Sequence, residues 1–140
     1  MAKKKSLLKK CDEKISNIIR LRDRMCLICK KPGTYTAKGL PVKGLDCHHI
    51  IGRQRHDVRF EPLNLVSLCK SCHRFGHKGI SPHASLETIE RFWNWLKTDS
   101  KVKDHWEFYQ GYKQEVRRKT PLTTIYEDLT KELKEAIKAV

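Results

Sequence analysis

Two Cys-x-x-Cys pairs constrain this chain more than any other feature of its sequence. They are Cys26 with Cys29 and Cys69 with Cys72, and they stand in separate parts of the chain. Four thiolates suit a tetrahedral Zn²⁺ ion, and two such turns arriving from different segments close the site without an open position. We therefore expect a structural zinc site that fastens the two segments together. Four unligated thiols and a transient redox pair are the alternatives.

The start of the chain bears on how these cysteines are interpreted. The first ten residues, MAKKKSLLKK, are basic but lack the apolar region and cleavage site of a secretory signal. No apolar run approaches the roughly 18 residues of a membrane span, so no membrane partner is expected. We expect a reducing compartment, the cytoplasm, where such pairs bind metal or act in redox chemistry more often than they form disulfides.

The charge of the chain points to a polyanionic partner. The net charge is +14, from 30 Lys and Arg against 16 Asp and Glu. When Lys and Arg neutralise the phosphates of a nucleic acid, the counterions condensed on it are released, and this release favours binding. The charge therefore predicts a nucleic-acid partner. The 140 residues are enough for one domain with a modest core. A mean hydropathy of −0.64 makes a structural metal a useful supplement to that core.

Hydrophobic periodicity predicts an α+β fold, with short strands at 45–51 and 65–68 joined by a polar, Arg-rich loop. Ser71 is expected to cap a short helix that carries Cys72, His73 and His77. Longer helices are predicted over 6–23, 85–97, 104–118 and 122–138. We expect one domain over 1–140, with a core at about 24–80, an N-terminal helix at 6–23 and a C-terminal helical part at 85–138.

The apolar faces of these helices are expected to form the core. Cys11 is predicted as a small buried residue of the first helix, and Cys47 as one of the first strand. The remaining positions predicted to face the core are Leu7, Leu8, Ile15, Ile18 and Ile19 in the first helix; Leu86, Ile89, Trp93 and Leu96 in the second; Trp106, Tyr109 and Val116 in the third; and Ile125, Leu129, Leu133 and Ile137 in the last.

The histidines predict a second metal site, because four cysteines already satisfy one zinc ion. Neighbouring residues of a strand point to opposite faces, so His48 and His49 should have different roles. One of them can join His73 and His77, which are four residues apart on the predicted helix, in a three-histidine set with open positions. His77 has an alternative role as a charge at the helix end. His56, His83 and His105 are expected to be ordinary hydrogen-bonded side chains.

The order of these residues resembles that of the HNH endonucleases, whose core is a ββα-metal finger. Asn64 follows His49 by 15 residues, His73 follows Asn64 by nine, and His77 follows His73 by four. This spacing is similar to that of the nuclease colicins. The Cys-x-x-Cys pairs are similar to those of the zinc-stapled HNH nucleases common in bacteriophages and mobile elements. The resemblance covers residues 26–77.

The resemblance implies a role for each matching residue. His49 would be the general base, Asn64 would hold the loop and orient His49, and His48, His73 and His77 would bind one catalytic divalent ion. The commoner pattern of the family has Asp where His48 stands. Imidazoles favour Zn²⁺ or Ni²⁺ and carboxylates accept Mg²⁺ or Mn²⁺ more readily, so all four ions stay open.

Hydrolysis of a phosphodiester also needs the phosphate to be held. Arg53 and Arg55 of the loop are the candidates, because a guanidinium can bind a phosphate through two hydrogen bonds. Arg59 is either a third candidate or a structural residue.

The expected function is metal-dependent cleavage of DNA, as a nick or a double-strand break, in the cytoplasm of a bacterial or phage-infected cell. RNA is the other substrate that these features allow, and phage packaging or recombination proteins are candidate partners. The second hypothesis is a non-catalytic zinc-ribbon module that binds nucleic acid within a packaging, replication or recombination assembly. A redox protein that uses its Cys-x-x-Cys pairs is the third.

Overall fold

The computed structural model describes residues 6–36, 38–40, 42–112 and 120–139. This part of the chain combines helices with a small antiparallel sheet, so the predicted α+β class is confirmed. The elements are α1 (Leu7–Asp23), β1 (Asp46–His49), β2 (Leu65–Leu68), a short π-helix (Ser71–Phe75), α2 (Leu86–Thr98), α3 (Lys103–Gly111) and α4 (Leu122–Lys138), with 3₁₀ turns at Pro62–Asn64 and Ser100–Val102.

The sheet has two strands, and the short π-helix follows directly after the second, which gives a ββα arrangement. β1 and β2 run antiparallel, with His48 opposite Val66 and His49 opposite Leu65. Side chains of a strand alternate between faces. Val66 accordingly packs with α2 in one core cluster, whereas Leu65 packs with α1 and α4 in another. The sheet therefore separates two packing environments, and the paired histidines are the last two residues of β1.

The first helix begins and ends where the sequence predicts. The Ser6 hydroxyl accepts a hydrogen bond from the Lys9 amide at 3.2 Å, and the helix ends at Asp23, before Arg24, whose φ of 61° is left-handed. Cys11, Ile15 and Ile19 are buried. They pack against Leu129 of α4, so the last helix lies on the rest of the chain, as expected.

The second helix covers the other face of the sheet. Ser85 caps it in a reciprocal arrangement with Thr88, which confirms the predicted start. Phe92 and Leu96, in the middle and last turns of this helix, are buried. The prediction for Leu86 was wrong, because this first helical residue is 84% exposed and faces solvent.

Three other expectations differ from the structure. The helix predicted from residue 104 ends at Gly111, because Tyr112 has an extended backbone with ψ 121°; Val116 and Arg118 lie outside the described residues. Ser71 is the first residue of the π-helix rather than its cap, and Lys70 precedes it without a capping side-chain bond. The first strand is shorter than predicted. In the described part of the chain, no helix is both long and apolar enough to cross a membrane.

Candidate metal centres and nuclease site

The four predicted cysteines come together in the folded chain. One sulfur from each of Cys26, Cys29, Cys69 and Cys72 lies within 4.8 Å of the others. The Cys29 and Cys69 sulfurs are 3.6 Å apart. A tetrahedral ion with Zn–S bonds of about 2.3 Å holds its sulfurs about 3.8 Å apart. The donor set therefore fits a zinc ion, as predicted from the sequence.

Local backbone geometry presents these thiols. The amide of Lys30 donates to the Cys26 carbonyl at 2.9 Å, and Lys30 itself is left-handed with φ 67°, which closes the first turn. The amide of Leu27 donates to the Ser67 carbonyl at 3.0 Å and fastens this turn to β2. Burial raises the pKa of Cys26 and of Cys72. Their thiolate forms therefore need a cation in the site.

A second group of possible ligands consists of His48, His73 and His83, each of which offers a ring nitrogen within 4.8 Å of the other two. The ring centroids are 5.2 Å apart for His48 and His73, 5.0 Å for His48 and His83, and 4.9 Å for His73 and His83. Burial, with the two neighbouring imidazoles, lowers the pKa of His48 to about 3. His48 is therefore neutral at pH 7 and keeps a lone pair for a metal ion.

Asp46 orients the second imidazole of this group. It lies two residues before His48, on the same face of β1, and its carboxylate accepts a hydrogen bond from His73 Nδ1 at 3.0 Å. A carboxylate that holds one ring nitrogen leaves the other for the ion, as in many histidine metal sites. Sequence analysis missed Asp46. The strand alternation around His48 was the available signal.

The structure corrects the expectation that His73 and His77 share a helix face. The π-helix ends at Phe75, and Gly76 has a left-handed φ of 61°, so the chain turns away before His77. Nε2 of His77 lies 3.2 Å from the Cys72 sulfur, beside the cysteine site.

His83, expected to be an ordinary polar residue, is instead grouped with His48 and His73. The Ser81 hydroxyl donates to the His73 carbonyl at 2.9 Å and accepts from the His83 amide at 3.2 Å. The spacing of His83 from His73 in the sequence does not indicate this link. By contrast, Nδ1 of His105 donates to the Leu63 carbonyl at 2.8 Å, as expected of a structural histidine.

His49 occupies the opposite face of β1, in agreement with the predicted division of roles. Its Nε2 lies 3.0 Å from the Arg59 carbonyl oxygen. A carbonyl can only accept, so Nε2 carries the proton and Nδ1 has the lone pair. Burial lowers the pKa of His49, which keeps the ring neutral near pH 7. This is the state that a general base requires.

The loop between the strands is held by Asn64 and Arg59. The buried Asn64 side chain accepts from the Ile51 amide at 2.7 Å and donates to the Ile51 and Val58 carbonyls at 2.9 and 3.1 Å. Arg59 makes a two-pronged ion pair with Asp12 of α1, at 2.9 and 2.6 Å. Arg59 thus has the structural role that the sequence left open.

The other two arginines of the loop differ from each other. The Arg53 side chain is exposed. Arg55 donates to the Tyr112 hydroxyl at 3.4 and 3.2 Å, and that hydroxyl donates to Asp57 at 2.7 Å. Arg55 therefore connects the loop to the end of α3. Arg53 is therefore the more exposed of the two side chains.

The two cysteines predicted to be outside the zinc set remain outside it. Cys11 is fully buried on α1, and its sulfur faces the Leu122 carbonyl at 3.9 Å. Cys47 packs in the same cluster, and burial raises its pKa to about 11. Both behave as small core residues.

Comparison with protein families agrees with this geometry. Residues 26–79 match the family described as HNH endonuclease. No curated protein and no solved structure gave a match. The matched segment contains both cysteine pairs, the two strands and the π-helix, together with His48, His49, Asn64 and His73. Residues 26–79 are therefore similar to an HNH endonuclease domain.

Proposed function

We propose that this protein is a metal-dependent endonuclease that hydrolyses phosphodiester bonds of DNA. The observation that carries the proposal is the division of the histidine pair on β1. His48 lies on one face with two further imidazoles, and His49 lies on the other with its tautomer set by a carbonyl. Hydrolysis of a phosphodiester needs both a metal-binding group and a neutral imidazole base, and adjacent residues of β1 offer one of each.

His49 is the general base in this proposal. Its Nε2 proton is held by the Arg59 carbonyl, so Nδ1 can accept the proton of an attacking water molecule. The imidazolium that forms keeps its hydrogen bond to Arg59, and that carbonyl dipole stabilises the new charge. A neutral imidazole is the common base near pH 7.

Asn64 and Asp12 are positioning residues. Asn64, at the end of the loop, fixes it at Ile51 near its start and at Val58 near its middle. Asp12 fixes the Arg59 side chain through two hydrogen bonds. Together they hold the carbonyl that orients His49. The imidazole is therefore already in position before the substrate binds, and little conformational entropy is lost in reaching the reactive geometry.

His48 and His73 would hold the catalytic ion. A divalent ion bound there would supply Lewis-acid stabilisation of the phosphate and of the leaving oxygen. Neutral imidazoles favour Zn²⁺ or Ni²⁺, with Mn²⁺ and Mg²⁺ as the alternatives. The cysteine set would hold a structural zinc that supports the ββα segment.

The net charge of +14 supports nucleic acid as the substrate. Arg53 is the candidate for the phosphate next to the cleaved bond. We place this activity in a single cytoplasmic domain.

The test is cleavage of supercoiled plasmid DNA by the zinc-loaded protein with added Mg²⁺, Mn²⁺, Ni²⁺ or Zn²⁺, with a structured RNA assayed in parallel. His49→Ala should lower the cleavage rate by about 10²–10⁴-fold, the usual contribution of a general base. His56→Ala removes an exposed histidine of the same loop and should cleave like wild type. A folded, metal-loaded His49→Ala protein with wild-type cleavage would refute the assignment, and faster cleavage of RNA would change the substrate.

The alternative is a zinc-ribbon module that binds nucleic acid without cleaving it. The buried cysteine set supports this function too, because it needs only the zinc site. The alternative predicts one ion per chain and no cleavage with any of the four metals. The nuclease predicts a second, more weakly held ion, which elemental analysis can count.

A further inference from the structure

We propose that His83 completes the second metal site with His48 and His73, and that His77 donates a hydrogen bond to the Cys72 thiolate of the zinc site. This assignment rests on the proposed function only in taking His48 and His73 as ligands of the catalytic ion. It departs from the spacing of the family pattern, which places the third histidine four residues after His73.

The position of His83 is set by a side chain that belongs to neither metal site. Ser81 is fully buried, and its hydroxyl donates to the His73 carbonyl at 2.9 Å. The same oxygen accepts from the amides of His83 and Ala84, each at 3.2 Å. The backbone that carries His83 is therefore tied to the backbone that carries His73. The rings of these histidines lie 4.9 Å apart as a result.

The ring of His83 also lies close to that of His48, the third histidine of the group. The ring of His83 is 5.0 Å from that of His48, with the planes nearly perpendicular at 78°. The ring of His48 also packs edge-on against the ring of Phe92, with the ring centroids 5.5 Å apart. Because His48 is almost fully buried and His83 is exposed, the group opens towards solvent on the His83 side. An ion held there keeps coordination positions that a substrate can reach.

Gly76 directs His77 away from this group. Its φ is +61°, and a Cβ at this position would meet Thr88 Cγ2 at 3.0 Å. A side chain would be strained there on both counts, so the turn depends on glycine. The helix cannot continue through such a residue, and His77 leaves the face that carries His73.

His77 reaches the cysteine site instead. Its Nε2 is 3.2 Å from Cys72 Sγ, within hydrogen-bonding distance for sulfur. Four thiolates around one Zn²⁺ leave a net negative charge, and an N–H donor from an imidazole stabilises it. Since Cys72 and His73 are adjacent, the segment from Cys72 to His83 links both metal sites.

The experiment is a metal titration of the full chain, which does not depend on cleavage. Protein purified with its zinc is titrated with Ni²⁺ by calorimetry, and zinc release to a chelator is followed separately. His83→Ala should weaken Ni²⁺ binding at least tenfold and leave zinc release unchanged. His77→Ala should leave Ni²⁺ binding within threefold and make zinc about 10–100-fold easier to remove, the usual effect of losing a supporting hydrogen bond. His56→Ala is the matched control for both measurements.

Two further variants keep the test informative if an alanine protein folds poorly. His77→Gln retains an N–H donor and should hold zinc more firmly than His77→Ala. His83→Gln is a poor ligand for Ni²⁺ and should behave like His83→Ala.

The assignment is overturned if His77→Ala loses the Ni²⁺ site while His83→Ala keeps it, if both variants lose it equally, or if the wild-type protein binds no second ion. Failure of the nuclease proposal is distinguishable, because the protein would then bind both ions as stated and leave DNA intact.

Discussion

Replacing Asn64 by alanine removes three hydrogen bonds from the loop between β1 and β2. The lost bonds are the 2.7 Å contact from the Ile51 amide and the contacts to the Ile51 and Val58 carbonyls at 2.9 and 3.1 Å. Each bond contributes about 0.5–1.5 kcal/mol net to stability. In the variant, the Ile51 amide and the Ile51 and Val58 carbonyls also lose their hydrogen-bond partner, and alanine cannot replace the side-chain amide. We expect a loss of about 3 kcal/mol of unfolding free energy, which is a large part of the ~5–15 kcal/mol typical of a domain.

The measurement is urea unfolding of zinc-loaded protein, with zinc content and plasmid cleavage recorded on the same samples. Ser67→Ala is the matched control, because Ser67 is equally buried but its hydroxyl donates a single hydrogen bond within the described part of the chain, to the Ile19 carbonyl at 3.4 Å. It should cost about 1 kcal/mol or less. The folded Asn64→Ala protein should also cleave DNA more slowly per molecule than folded wild-type protein, because the loop carries the Arg59 carbonyl that orients His49. An Asn64→Ala protein within about 1 kcal/mol of wild type would refute the reasoning.

Two further predictions concern the zinc site and the effect of acid. Cys29→Ala should lose the bound zinc and lower the melting temperature by more than about 10 °C, because metal binding contributes folding free energy. Cys47→Ala, outside the cysteine set, should keep one zinc per chain; a Cys29→Ala protein that keeps zinc and melts like wild type would count against the site. Burial lowers the pKa of His105 below its ordinary value of about 6.5. As the pH falls below about 6.5, the unfolded chain therefore takes up the proton first, and the folded state loses stability. The His105→Gln protein should lose less stability than wild type between about pH 7.5 and 5.5, and an unchanged pH dependence in urea unfolding would contradict this.

Much of the fold is predictable because its determinants are local. Ser85 caps α2 as expected, and Ser6, predicted as the first residue of α1, caps that helix, since a hydroxyl at a helix start satisfies an amide that has no other partner. The cysteine set follows from two short turns whose spacing suits one ion. The opposite faces of His48 and His49 follow from the two-residue period of a strand. Leu86 shows the limit of this reasoning, because an apolar residue at helical spacing is still exposed when no neighbour covers it.

Residue types and their spacing are enough to predict the metal-binding side chains, the meeting of four cysteines, and the division of the paired histidines between two faces of a strand. The histidine that joins His48 and His73 follows only from the folded chain. That choice depends on the left-handed turn at Gly76 and on the buried hydroxyl of Ser81, which together turn His77 towards the cysteines and bring His83 beside His73. The physical reason is that a spacing of four residues predicts a shared face only while the helix continues. This helix ends one residue before Gly76.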